Sequence, residues 1–366
     1  MKRLISALSI TFLLHSGTSF AEIVINDIQG RSVTLNAHPE KVALGFYYED
    51  YLAVAGTEGF NKLVSLSKAP WESWRPGQWN AYTDAFPPLA TLPDFGNAED
   101  GTLSTEALIA TSPDVLILAS WQFDSIGTGI QQIEAAGIPI VTLDYNAQTL
   151  EKHIASTRIL GQLLNREDRA EALVSLYEDK HQDTLQRVKT AHTNGAISKK
   201  IYVELAQNGP DAQGNSYSKG MWGGVIDLLQ GQNIAAGQIE NWGPLSPEYI
   251  IASQPDVILL AGSEWLNRPS SVQLGFGADE TLTHQRMEAY LSRVGWSSLP
   301  AVQNREVYGV YHGGNRTLSD FVYMRAIGQA LYPDFFTDVN PAQELQDFYA
   351  EWMPIPAMGL FVTRIH

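Results

Sequence analysis

LSTEALIATSPDVLILAS, residues 103–120, and LSPEYIIASQPDVILLAG, residues 245–262, are one unit written twice, 142 residues apart, ungapped and identical at 10 of 18 positions. Each copy opens on a serine before a short apolar-periodic run, so Ser104 and Ser246 read as helix N-caps. Pro247 falls at the first helical position, where its missing N–H is no loss. Glu106 and Glu248 fall in the first turn, where exposed amides favour a carboxylate. The SPD and QPD triplets predict the helix ends, because a residue before proline leaves the right-handed α region. VLILA and VILLA then read as parallel strands buried on both faces.

The unit therefore predicts a helix feeding a parallel strand in each of two pseudo-symmetric lobes. Further strand signals flank both copies: KVALGF (41–46) and IPIVTLD (138–144) in the first half, KIYVEL (200–205) and EVYGVY (306–311) in the second. Between the halves, from Leu150 to His192, helix formers dominate and Gly161 is a rare break, with apolar residues at 170, 173, 176, 177 and 185. A flexible linker would be rich in Gly, Ser or Pro, so this stretch reads as a helical strut. The expected architecture is α/β: two lobes, each a mainly parallel sheet flanked by helices, joined by one long backbone helix with a ligand cleft between. The boundaries read as 1–21 export signal, 22–165 first lobe, 166–193 linking helix and 194–366 second lobe.

Lys2 and Arg3, an apolar run from Leu4 to Leu14 and the small-residue pattern Ser19-Phe20-Ala21 form a secretory signal, with cleavage expected after Ala21. No later stretch approaches ~20 uninterrupted apolar residues, so the mature chain is expected to be soluble in the periplasm. There are no cysteines, hence no disulfides, no thiolate metal ligands and no thiol nucleophile. Formal net charge is −16, and loss of the two basic signal residues takes it to −18, which disfavours nucleic acid and anionic membranes as partners. An anionic ligand would need a local basic patch against this background.

Four further segments, in order, carry a resemblance: NAHPEKVALG (36–45), GMWGGVIDLLQGQNIA (220–235), GWSSLPAVQNREVYGV (295–310) and ALYPDFFTDVNPAQELQDFYAEW (330–352). With two α/β lobes, a helical strut and an export signal, the chain resembles the substrate-binding proteins of bacterial ABC importers for iron–siderophore complexes, haem and cobalamin. The last segment resembles a subgroup handling iron chelates and sometimes molybdate. The resemblance implies a monomer that holds no cofactor of its own, captures a small-molecule metal chelate, in first place an iron(III) siderophore, and delivers it to a dimeric inner-membrane ABC permease. It also implies permease docking through Glu106 and Glu248, one glutamate from each lobe meeting arginines on the two permease subunits. Without it, both are ordinary first-turn glutamates.

Ligands of open parallel sheets sit beyond the carboxyl ends of the strands. Both repeated strands run there into polar-aromatic segments, SWQFDS with Trp121 and GSEWLNR with Trp265 and Arg268; the two tryptophans suit either cleft walls or lobe cores. APWESWRPGQWNAYTDAF (69–86) carries Trp71, Trp74, Arg75, Trp79 and Tyr82, and its Pro and Gly argue for an irregular loop. Such a loop suits a planar or catecholate chelate through stacking and cation–π contact. Tyr217, Lys219 and Trp222, with Tyr311, His312 and Arg316, complete the expected ligand set. Arg75, Arg268 and Arg316 are the natural anion contacts, since a guanidinium grips oxygens in a fork. Tyr311 or His312 is the candidate to complete an iron shell; no other metal ligand is expected.

The seven histidines of the mature chain are scattered, which argues against capture of bare zinc or manganese. Molybdate or tungstate needs only backbone amides and stays open, as do haem and cobalamin. A secreted hydrolase is the alternative of a different class, but the chain has no G-x-S-x-G, H-E-x-x-H or P-loop motif, and no enzyme activity is expected.

Overall fold

A computed structural model describes residues 22–147, 149–265 and 268–365; the signal-peptide reading lies outside them. Two parallel sheets organise the chain. The first has four strands in the order Leu63–Leu66, Val42–Leu44, Val115–Ala119, Ile140–Leu143. The second has five, in the order Val362–Arg364, Val307–Tyr311, Val257–Gly262, Lys200–Leu205, Gln232–Asn233, all parallel except the first of these. The two repeated strands occupy matching places, each beside the opening strand of its lobe, and every residue of both is buried. Two lobes with one strand order explain why the unit appears twice.

The helices before these strands start as their sequences dictate. Ser104 caps Thr105–Ala110 by accepting from the Ala107 amide at 3.1 Å, and Ser246 caps Pro247–Ser253 by accepting from the Tyr249 amide at 3.2 Å. Their ends differ from expectation in one respect. Ser112 and Gln254, each before a proline, leave the right-handed region by turning to positive φ, 46° and 49°, rather than by extending. A single left-handed residue turns each chain tightly into the strand that follows.

The strut is two packed helices, Leu150–Leu164 and Glu167–Thr193, separated by left-handed Asn165. Gly161 is no break: it lies inside the first helix, where an added Cβ would stand 2.5 Å from Ala170 Cβ. Its missing side chain is what lets the two helices approach. The longer helix buries Ala170, Leu173, Val174, Tyr177, His181, Thr184, Val188 and Ala191, a stripe at helical spacing. It is fixed at both ends of its reach. Arg169 donates to the Ala53 carbonyl at 2.6 Å, while Arg325 meets Asp183 at 2.5 Å and Lys180 meets Glu344 at 2.8 Å. No helix among the described residues is long and apolar enough to cross a membrane.

Where lobes and strut converge, acidic side chains are buried. Asp50 accepts from the Leu318 amide at 2.7 Å, and Tyr177 donates to Asp320 at 2.8 Å. Burial raises the Asp320 carboxyl to about 8, and lowers His153, 3.7 Å from it, to about 4. The folded chain thus keeps a proton on Asp320 that the unfolded chain releases near pH 4. This group's contribution to stability is present at low pH, declines as pH rises from about 4 to about 8, and is level above that. His153 acts oppositely, its contribution being lost as pH falls from about 6.5 towards 4. In thermal melts from pH 5 to 9, the stability of wild type relative to Asp320→Asn is expected to fall steadily up to pH 8. Parallel curves for the two proteins would show that Asp320 does not hold this proton.

Candidate functional site

Strand ends deliver the site. Val42–Leu44 runs through Gly45 to Phe46; Lys200–Leu205 runs to Gln207; Val257–Gly262 to Ser263 and Trp265; Val307–Tyr311 to His312, Gly313 and Arg316. Gln207, Ser263, Trp265, His312, Gly313 and Arg316, with Trp74 and Arg75 from the first lobe and Glu99 and Asp100 on the rim, line a cleft of about 360 Å³ between the lobes, and Phe46 is buried against the two guanidinium groups. Ser263 of the second lobe donates to the Trp74 carbonyl at 3.4 Å across it.

Its electrostatics are unusual for so acidic a chain. Arg75 is buried, and its Nη2 has no acceptor among the described residues; neither has the buried Nε of Arg316. Neither guanidinium forms an ion pair with a described carboxylate within 4 Å. Both lie over the same ring, Phe46, at 5.4 and 5.5 Å. Burial, and then the charge of Arg75, lower Arg316 to about 10, so it remains a cation at neutral pH. Two desolvated cations beside each other are costly unless an anion joins them. Behind Phe46, Tyr47 holds a left-handed backbone (φ 56°), strain rarely tolerated in a bulky residue away from a functional site.

His312 stands among aromatic rings, 6.1 Å from Tyr217, 6.4 Å from Trp222 and 6.2 Å from Trp265. Trp222 donates its indole N–H to His312 Nδ1 at 3.1 Å. Burial, with Arg316 and Arg75 nearby, holds this imidazole well below its usual range, so it is neutral.

Of the sequence-predicted residues, Trp74, Arg75, Trp265, His312 and Arg316 meet in the cleft. Tyr217 and Trp222 are buried behind His312 as its support. Trp121 packs edge-on against Phe46 at 5.4 Å, one layer back. The others lie elsewhere. Segment 69–86 is largely helical, Ala69–Glu72 and Pro76–Ala85, because Pro70 and Pro76 sit in first turns, where proline starts a helix rather than breaking it. Gly77 is required by contact: a Cβ there would stand 1.6 Å from Glu264 of the other lobe. Trp71 is fully buried, stacked on Tyr48 at 4.3 Å, with Trp79 and Tyr82 edge-on to it at 5.5 and 5.2 Å. Tyr82 donates to buried Glu49 at 3.1 Å. These three form lobe core: Trp79 and Tyr82, three apart, share one helix face and pack with Trp71 of the preceding helix. Tyr311 is buried beneath Gly275 and Gly313 and does not line the cleft, and burial raises its phenol well above the usual range. Lys219 lies exposed at a separate hollow beside Gly220 and Gly223. Arg268 donates to Asn208 at 2.9 Å and lines a neighbouring groove of about 1090 Å³ along the Pro76–Ala85 helix, which shares Trp265 with the cleft. Phe46, Gln207, Ser263 and Gly313 were not anticipated; each follows a strand's carboxyl end, the one signal that marks them.

The profile of the periplasmic binding protein family matches residues 61–311. The uncharacterized ABC transporter substrate-binding lipoprotein YvrC of Bacillus subtilis is 22% identical over 326 residues, 88% of this chain and 89% of that one. The molybdate-binding protein MolA of Haemophilus influenzae is 22% identical over 360 residues, 92% of each chain. Among solved structures, the TroA-like periplasmic binding protein FepB of Veillonella parvula superimposes with a TM-score of 0.88 at 29% identity, over 94% of this chain and 100% of that one.

Proposed function

Since the chain belongs to the periplasmic binding protein family, we propose that its cleft captures an anionic metal chelate, a ferric siderophore, for delivery to an inner-membrane ABC permease. The observation that carries this reading is the guanidinium pair of buried Arg75 and half-buried Arg316, whose Nε is itself buried, with no carboxylate partner within 4 Å among the described residues and a shared aromatic support. An anion bearing several oxygens supplies what that pair lacks. The walls argue for a larger ligand than an oxyanion. Trp74 and Trp265 offer flat apolar surface, and about 360 Å³ far exceeds the two or three water volumes, each ~30 Å³, that a tetrahedral oxyanion fills. Catecholate or carboxylate arms around a ferric ion match both features, with charge for the arginines and planar surface for the tryptophans. Molybdate is the second reading, favoured by the likeness to MolA along nearly the whole chain.

Docking falls to Glu106 and Glu248, which stand exposed in the first turns of the two repeated helices. Two like carboxylates on pseudo-equivalent elements suit a two-fold partner, and no turnover of the ligand is expected.

Tryptophan-fluorescence titration of the mature protein tests ligand class, using ferric catecholate, hydroxamate and carboxylate siderophores beside molybdate, haem and cobalamin. Sub-micromolar quenching by one ferric chelate is expected. A response to molybdate alone would replace the chelate with an oxyanion. Charge reversal of Glu106 and Glu248 together is expected to stop transport while leaving that titration unchanged.

A further inference from the structure

We infer that His312 serves the cleft as a fixed hydrogen-bond donor through Nε2, held in that tautomer by Trp222, so that the ligand meets it with an oxygen acceptor and not with its metal ion. The argument begins with Trp222. An indole N–H can only donate, and it lies 3.1 Å from His312 Nδ1. Nδ1 must therefore present its lone pair to the indole and carry no proton. The neutral ring has one proton, and it is on Nε2. Trp222 does not move to suit another arrangement: it is fully buried, edge-on to Tyr323 at 6.1 Å. The imidazole itself lines the cleft, and no acceptor among the described residues takes the Nε2 proton.

A histidine binds a metal through a nitrogen lone pair, and here the one lone pair is already used inside the protein. To reach iron, Nε2 would have to lose its proton or His312 would have to break from Trp222. Beside the two guanidinium groups, the imidazole N–H is thus a third donor lining the cleft. That donor set selects a chelate whose metal is fully wrapped and whose outer oxygens face the protein, over one with open metal positions awaiting a side chain. This selection rests on the chelate reading above; the tautomer does not.

The first measurement is on ligand-free, full mature chain labelled with nitrogen-15 at histidine, with His312 assigned by its absence in His312→Gln. The spectrum at neutral pH is expected to show Nδ1 unprotonated and Nε2 protonated, and the reverse pattern would overturn the inference. The second compares two probes, ferric tris-catecholate, in which iron is saturated, and a ferric bis-catecholate, which leaves iron positions open. Wild type is expected to prefer the saturated complex. His312→Gln, whose amide N–H reaches the place of Nε2, should keep affinity for it within about threefold, whereas His312→Leu should lose about tenfold or more, as for loss of a hydrogen bond to a charged acceptor. A change in the iron charge-transfer band between wild-type and His312→Gln complexes would mean that His312 does bind iron, and would overturn it. Should neither probe bind, the chelate reading falls while the nitrogen spectrum still decides the tautomer.

Discussion

Replacing Arg316 by leucine is expected to weaken capture of a ferric catecholate by at least about tenfold, and to raise the melting temperature of the ligand-free protein. The first half follows from losing charge-assisted hydrogen bonds, worth about 1.5–3 kcal/mol, to an anionic ligand. The second half follows from the ligand-free state. Arg316 is desolvated, lowered to about 10 by burial and by Arg75, and supported by an aromatic ring rather than a carboxylate. Removing an unpaired buried charge relieves the fold, provided leucine covers Phe46 as the guanidinium did. Arg75→Leu should act in the same direction. The double variant should gain less than the sum of the two, because either substitution already ends the repulsion between the pair. Thermal melts and fluorescence titrations of the four proteins measure both quantities. Lower ligand-free stability in each single variant would mean that the arginines are held by the fold itself, and the anion would lose its main support.

Much of this molecule can be read from its sequence where the determining forces are local. Ser104, Ser246 and Pro247 act within their own first turns, and VLILA and VILLA need only a sheet to be buried in. The strut is legible because its stripe from Ala170 to Ala191 repeats at helical spacing. The site is legible only in part, since a residue type does not say which way its side chain faces. Trp71 and Trp74 are three residues apart in the same aromatic segment, yet one is core and the other cleft wall. Gly77 and Gly161 look like breaks in the sequence and prove to be points of close approach, set by Glu264 far along the chain and by Ala170 on the next helix. Phe46 and Gln207 carry no chemical signature, and only their place after a strand's end could have marked them.

A buried charge inside a strand leads to the largest expected loss of stability. Glu204 lies in Lys200–Leu205 and is fully buried. Arg293 meets it in a fork at 2.6 and 2.9 Å, while the Tyr202 hydroxyl and the Gly214 amide donate to the same carboxylate at 2.9 and 2.8 Å. Arg293 is in turn committed beyond the pair, donating to the carbonyls of Pro210 and Ala212 at 2.7 Å each and lying over the Tyr290 ring at 4.3 Å. Arg293→Ala therefore leaves a buried carboxylate with two neutral donors and no counter-ion, a change that costs about 3–5 kcal/mol. In a chain of this size that lowers the melting temperature by roughly 4–7 °C. Glu204→Gln added to Arg293→Ala should restore part of the loss, because an amide in that pocket no longer needs a cation. The consequence reaches the cleft. Arg293 anchors the segment after the strand, which begins with Ala206 and Gln207, and Gln207 lines the site. Ligand affinity should accordingly fall in Arg293→Ala even at temperatures where the protein stays folded. It should recover less than stability does in the double variant, since the introduced amide cannot replace the bonds from Arg293 to the loop carbonyls. Equal recovery of both would show that the pair acts on the cleft through global stability alone, and that the loop needs no anchor.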